Sequence, residues 1–232
     1  SEAAALVAET AAALAGLRGD HATLVVAARR IIERHPTVGP LWWLCAHLLV
    51  APDARQRAWE LSDLLADDPT PDELAEALPH GASVLTGGFT AALTEAFAER
   101  EVVAMVLVDG DDSLRLARRL GRFGIDVEPV EQHGVDAAAA RADMVVVGAT
   151  AGSDSVALGS PDAAAAARAG ARAGLPVWLV EPVGTRLPSR FLTAIEAAGC
   201  HEFDLGAVAR RVGAPHPPAP LAPELLRAVT AR

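Results

Sequence analysis

The sequence predicts an α/β protein: an all-helical N-terminal domain followed by a Rossmann-like, mostly parallel open sheet with helices on both faces. Three observations carry this. No strand-like run occurs before residue 83. Beyond it, short Val- and Leu-rich runs alternate with amphipathic or Ala-rich segments, the pattern of parallel strands covered by helices. Finally, residues 142–182 spell out a complete βαβ unit. Residues 143–148 form an apolar run short enough for a strand and continuous enough to be buried on both faces. Residues 149–160 are small and polar and read as the loop leaving its carboxyl end. Pro161 and Asp162 suit the first turn of a helix over residues 163–174, and residues 175–180 supply the next strand. The domains expected are residues 1–80 and 81–232, divided near Pro79-His80-Gly81.

Taken in order, residues 3–17 are Ala/Leu-rich and helical, and Gly19-Asp20 breaks them. Asp20 suits the cap of a helix over residues 22–34. Residues 35–40 interrupt the pattern, 41–49 form an apolar helix and 53–67 an amphipathic one. Thr70 with Glu73 has the spacing of a capping box before residues 74–78. Strands follow at 82–85, 102–108 and 125–130, with helices at 89–100, 113–123 and 137–141. After the βαβ unit come a helix at 190–198 stopped by Gly199, a short strand at 203–205, a Pro-rich connector at 215–220 and a closing helix at 223–229.

Composition narrows function. The 232 residues carry a formal charge of −10, which argues against nucleic acid as a partner, because phosphate affinity comes from clustered positive charge. Every basic residue is Arg, so Schiff-base chemistry and a Walker-type phosphate loop, both of which need a Lys amine, are excluded. No apolar run reaches membrane-spanning length, and no charged region followed by an apolar one opens the sequence, so no membrane partner and a cytoplasmic location are expected. Cys45 and Cys200 lack metal-ligand spacing and are read as reduced thiols. No metal and no cofactor are expected.

In open parallel sheets, ligands sit beyond the carboxyl ends of the strands. Thr86, Gly87 and Gly88 lie between a strand and a helix, where glycines allow close backbone approach and helix N–H groups favour an anion. They equally serve a tight turn with nothing bound. Asp109 ends the next strand, where a carboxylate accepts from ribose hydroxyls, and Asp111 follows it. Thr150, Ser153 and Asp154 follow the strand ending at Gly148 and suit a polyol, or a solvated turn. Arg186 follows the strand ending at Val180 and offers a guanidinium for phosphate. His133 follows a strand end, where an imidazole suits acid–base chemistry.

These segments resemble a family, the group holding the alpha, beta and delta subunits of the initiation factor two-B exchange factor, methylthioribose-1-phosphate isomerase and ribose-1,5-bisphosphate isomerase. Residues 35–43 (HPTVGPLWW) are similar to its Arg-Pro-Thr-Ala-Val-Asn-Leu segment. Residues 84–90 (VLTGGFT) stand where it has a strand ending in Leu-Thr-His and a small polar loop. Residues 145–149 (VVVGA) resemble its Val-Gly-Ala-Asp strand end, residues 175–180 its following strand, and Glu202-Phe203-Asp204 its C-terminal Phe-Asp. The resemblance implies a helical N-terminal domain, a Rossmann-like C-terminal domain and a homodimer formed through the latter.

The same resemblance places Gly88 and Thr150 where both isomerases carry a Cys and an Asp. Moving hydrogen between adjacent carbons needs acid–base groups, and neither residue supplies one. The family's Asn-Lys pair falls at Leu158-Gly159, and its Glu-Ser/Thr-Arg-Pro segment is shortened into residues 108–112. The expectation is therefore a dimeric protein without assigned catalytic residues. It binds a small phosphorylated sugar or nucleotide, or a protein partner as a regulatory subunit. The alternative is an aldose–ketose isomerase acting on a phosphorylated ribose derivative, its site rebuilt from Asp109, Asp111, Asp154 or His133.

Overall fold

The computed structural model describes residues 2–16, 21–88, 91–107 and 120–226. Helices fill the N-terminal third: α1 (Glu2–Ala15), α2 (His21–Arg34), α3 (Gly39–Val50), α4 (Ala54–Ala66) and α5 (Thr70–Ala77). The centre of this layer is α3, apolar on all sides and buried from Gly39 to Leu49 apart from Pro40, as expected of a helix enclosed by others. Its two tryptophans bury their rings and still satisfy their indole N–H groups. Trp42 donates to the Pro36 carbonyl at 2.9 Å and Trp43 to the Pro217 carbonyl at 2.8 Å.

The start of α5 differs from the expected capping box. Thr70 lies inside the helix, and Asp68 takes the capping role: its Oδ1 accepts from the Thr70 N–H at 3.0 Å and from the Thr70 hydroxyl at 2.6 Å. A carboxylate two residues upstream thus satisfies the donor the box would have served.

Six parallel strands form the main sheet: β1 (Ser83–Thr86), β2 (Val103–Leu107), β3 (Asp126–Val130), β4 (Met144–Gly148), β7 (Val177–Val180) and β9 (Val208–Val212), in the order β3-β2-β1-β4-β7-β9. Strand order reverses between β1 and β4, which pair through Val84 with Met144 and Leu85 with Val145. On one face Leu85, Val145 and Leu179 share a core with α7 (Val135–Ala139) and with Ala163–Ala166 of α8 (Pro161–Ala173). On the other, Val84, Val146 and Val180 pack with Leu93 and Phe97 of α6 (Ala91–Glu99) and Leu74 of α5. Alternate residues feeding two cores is the signature of a sheet covered on both faces.

Two segments depart from expectation. Residues 149–160 are not all loop: β5 (Ala151–Gly152) and β6 (Ala157–Gly159) form a tight antiparallel hairpin, and β8 (His201–Glu202) pairs with β6 to make a second small sheet. The late strand expected at 203–205 lies at 201–202 instead, and β9 went unread because its Val-Ala-Arg-Arg-Val sequence has three exposed residues. Edge strands carry such charges without an apolar signature. The helix expected over 113–123 falls mostly outside the described residues. A third core joins α2, α3 and α4 to Phe191, Leu192 and Ile195 of α9 (Ser189–Ala197), and to Leu225 of α10 (Pro223–Leu226). Burial is therefore continuous from the helical layer onto later elements.

Candidate functional site

At the point where strand order reverses, the carboxyl ends of β1 and β4 diverge, as where open α/β sheets bind ligands. A cavity of about 620 Å³ opens there, roofed by the N-terminal helices. Gly88 from the β1 end and Gly148, Ala149 and Thr150 from the β4 end form its floor. Ser160 and the Pro182–Thr185 turn close one side; Thr37, Val38, Leu65 and Asp68 from the helical layer, and Glu95 from α6, close the other.

Close approach explains the glycines. A Cβ on Gly87 would lie 2.6 Å from the Asp162 carbonyl carbon, and one on Gly88, whose φ is +63°, would lie 2.3 Å from Ser160 Oγ. The end of β1 therefore runs directly against the start of α8, as only glycine permits. Thr86 just before them is fully buried, and its hydroxyl has no hydrogen-bond partner among the described residues.

That start of α8 is already occupied by the chain's own groups. Pro161 brings no N–H, Ser160 Oγ accepts from the Ala163 N–H at 3.2 Å, and Asp162 places a carboxylate in the first turn. The anion site expected at the start of the helix following β1 involves residues 89–90, which lie outside the described residues. Asp68 Oδ2 accepts from the Val183 N–H at 3.0 Å, so one carboxylate fastens the helical layer to the turn after β7. Thr185 is buried and donates to the Pro182 carbonyl at 2.8 Å. Thr150 hydrogen-bonds the thiol of Cys200, which burial pushes above its ordinary range. Burial pushes Cys45 up to about 12 inside the helical core. Neither thiol lines the cavity.

Of the residues singled out from sequence, Gly88 and Thr150 line this cavity and Thr86 and Gly87 abut it. Asp109 and Asp111 lie outside the described residues. Ser153, Asp154 and Arg186 come together elsewhere, in an exposed charged knot. Arg186 pairs with Asp154, and Ser153 Oγ accepts from the Val156 N–H at 3.1 Å. Arg211 of β9 completes the knot. It grips Glu181 through two contacts of 2.6 Å and donates to the Ser153 and Asp154 carbonyls at 2.8 and 3.1 Å. His133 is exposed beside Glu131 at 3.3 Å, away from the cavity. Sequence reading missed Asp68 and Glu95.

The arrangement defines a class: a helical layer seated over a Rossmann-like sheet, with one cavity at the reversal of strand order. No protein-family model and no curated protein matches the chain. Solved structures do. A Pyrococcus horikoshii OT3 translation initiation factor eIF-2B is 19% identical with a TM-score of 0.66, over 77% of this chain and 72% of that one. The eIF2B delta subunit of Chaetomium thermophilum is 16% identical with a TM-score of 0.60, over 92% and 97%. The tetrameric eIF2B-beta2-delta2 complex from C. thermophilum gives 15%, a TM-score of 0.64, and 91% and 81%. The chain has an eIF2B-like fold, as the sequence resemblance implied. No helix among the described residues is long and apolar enough to cross a membrane.

Proposed function

We propose that this chain is a non-catalytic eIF2B-like subunit that dimerises through its α/β part and holds a small molecule at the carboxyl ends of its sheet. One observation supports the reading above others. Gly88 and Thr150, the positions where the resemblance puts the isomerases' Cys and Asp, both line the cavity at the β1/β4 divergence. Neither Gly88 nor Thr150 supplies an acid–base group for moving hydrogen between carbons. The rebuilt-site alternative draws no support from Asp154 or His133. Asp154 is exposed and paired with Arg186, and His133 is exposed beside Glu131. Assembly is supported by the likeness to subunits of a tetrameric eIF2B-beta2-delta2 complex.

Incubating purified protein with ribose-1,5-bisphosphate and with methylthioribose-1-phosphate, followed by NMR, should show no interconversion of aldose and ketose. Turnover of either substrate overturns the non-catalytic reading. Sedimentation equilibrium should give twice the chain mass; a monomer across the micromolar range removes the dimer.

A further inference from the structure

The cavity's charge runs opposite to that of a phosphate site. Two carboxylates, Asp68 and Glu95, line it, and among the described residues no Arg or His does. The nearby cation that sequence assigned to phosphate, Arg186, is taken up by Asp154 in the exposed knot. The start of α8 beside the cavity has its Ala163 N–H bonded to Ser160 and carries the Asp162 carboxylate. A phosphate dianion entering here would meet negative groups without a partner, and burying an unpaired charge is costly.

Other features of the lining favour a different guest. Val7, Val38, Leu65 and Val183 give apolar walls, and Thr37, Ser62, Thr150, Ser160 and Thr185 give hydroxyls. Such a mixture, in a space of about 620 Å³, suits a small organic molecule with an apolar body and a few polar groups. Asp68 already accepts three hydrogen bonds from Thr70 and Val183. Glu95 lies exposed on α6 with its carboxylate in no ion pair among the described residues.

We infer that the cavity takes a phosphate-free, amine-bearing small molecule, with Glu95 as the group that meets the ammonium and Asp68 as the fixed negative wall behind it. The inference rests on the reading of this cavity as a ligand site, and names the ligand's charge.

A matched series tests charge alone: adenosine, its 5′-amino analogue and its 5′-phosphate, each titrated by calorimetry into the full chain. The amino analogue should bind about tenfold or more tightly than the phosphate, with adenosine between them. Glu95→Gln, on an exposed helix face, should keep the unfolding temperature, weaken the amino analogue about fivefold and leave adenosine unchanged. If the phosphate binds as tightly as the amine, or if Glu95→Gln leaves the amine's affinity intact, the inference is overturned. Binding by none of the three overturns it as well. All of these results are independent of the sugar-phosphate turnover assay that decides the non-catalytic reading.

Discussion

Two polar regions stand near the carboxyl end of the same sheet and are built on opposite plans. In the knot, Arg186 meets Asp154 and Arg211 meets Glu181, the Ser153 carbonyl and the Asp154 carbonyl, so charge is matched within the chain. In the cavity, Asp68 and Glu95 lie beside apolar walls and hydroxyls, with no cation among the described lining residues. Position at a strand end is common to both. What separates a strap from a binding site is whether each carboxylate already has a guanidinium of the same chain.

The largest effect should come from Gly87→Ala. Its new methyl meets backbone of α8 rather than a yielding side chain, and overpacking of this kind costs about 2–3 kcal/mol. Urea denaturation measures it, and unchanged stability would break the picture of a cavity floor set by backbone contact. Asp68→Asn comes next. The amide keeps one acceptor for three donors, so about 2 kcal/mol should be lost, together with ligand affinity. A knot substitution should lower stability only.

A buried polar group that belongs to neither region serves as a control. Burial and the Arg57 charge push His47 down from 6.5 to about 4. The unfolded chain therefore binds the extra proton first as pH falls. The stabilisation is full above pH 6.5, is lost progressively towards pH 4, and declines no further below that. The loss, discounted for partial solvent access, is on the order of 2 kcal/mol. His47→Gln should flatten that slope in denaturation series from pH 7 to 4 without altering ligand binding at pH 7.

Arg211→Ala leaves Glu181, whose side chain is only 14% exposed, without its partner and should cost about 1 kcal/mol, with no change in ligand affinity. Smallest of all, Asp154→Ala removes an exposed partner (90% accessible) and should shift neither stability nor binding measurably. A lost ligand with either knot variant would erase the distinction between the two regions.

The elements read correctly from sequence are those whose burial is written into consecutive residues. Residues 143–148 and 175–180 are apolar because both faces of β4 and β7 are covered, and Pro161 and Asp162 mark a helix start by local chemistry alone. The hairpin of β5 and β6 was illegible because strands of two and three residues have no period. β9 was illegible because an edge strand can carry arginines. For the site, Gly88 and Thr150 were placed by resemblance and do share one cavity. Arg186 and Asp154 show the limit: sequence locates a strand end but not the direction a long side chain takes from it. Asp68 was the hardest to foresee, since its partner Val183 is 115 residues away and an Asp-Asp pair in a turn reads as solvated.

The reach of Asp68 carries a mechanical consequence. It behaves as a hinge pin, one oxygen seated on the first turn of α5 and the other on the crest that follows β7. Any molecule lodged beside it touches both plates at once and acts as a rivet. Filling the cleft should thus make the upper layer and the sheet melt as a single body, so occupancy would be felt far from where the guest sits.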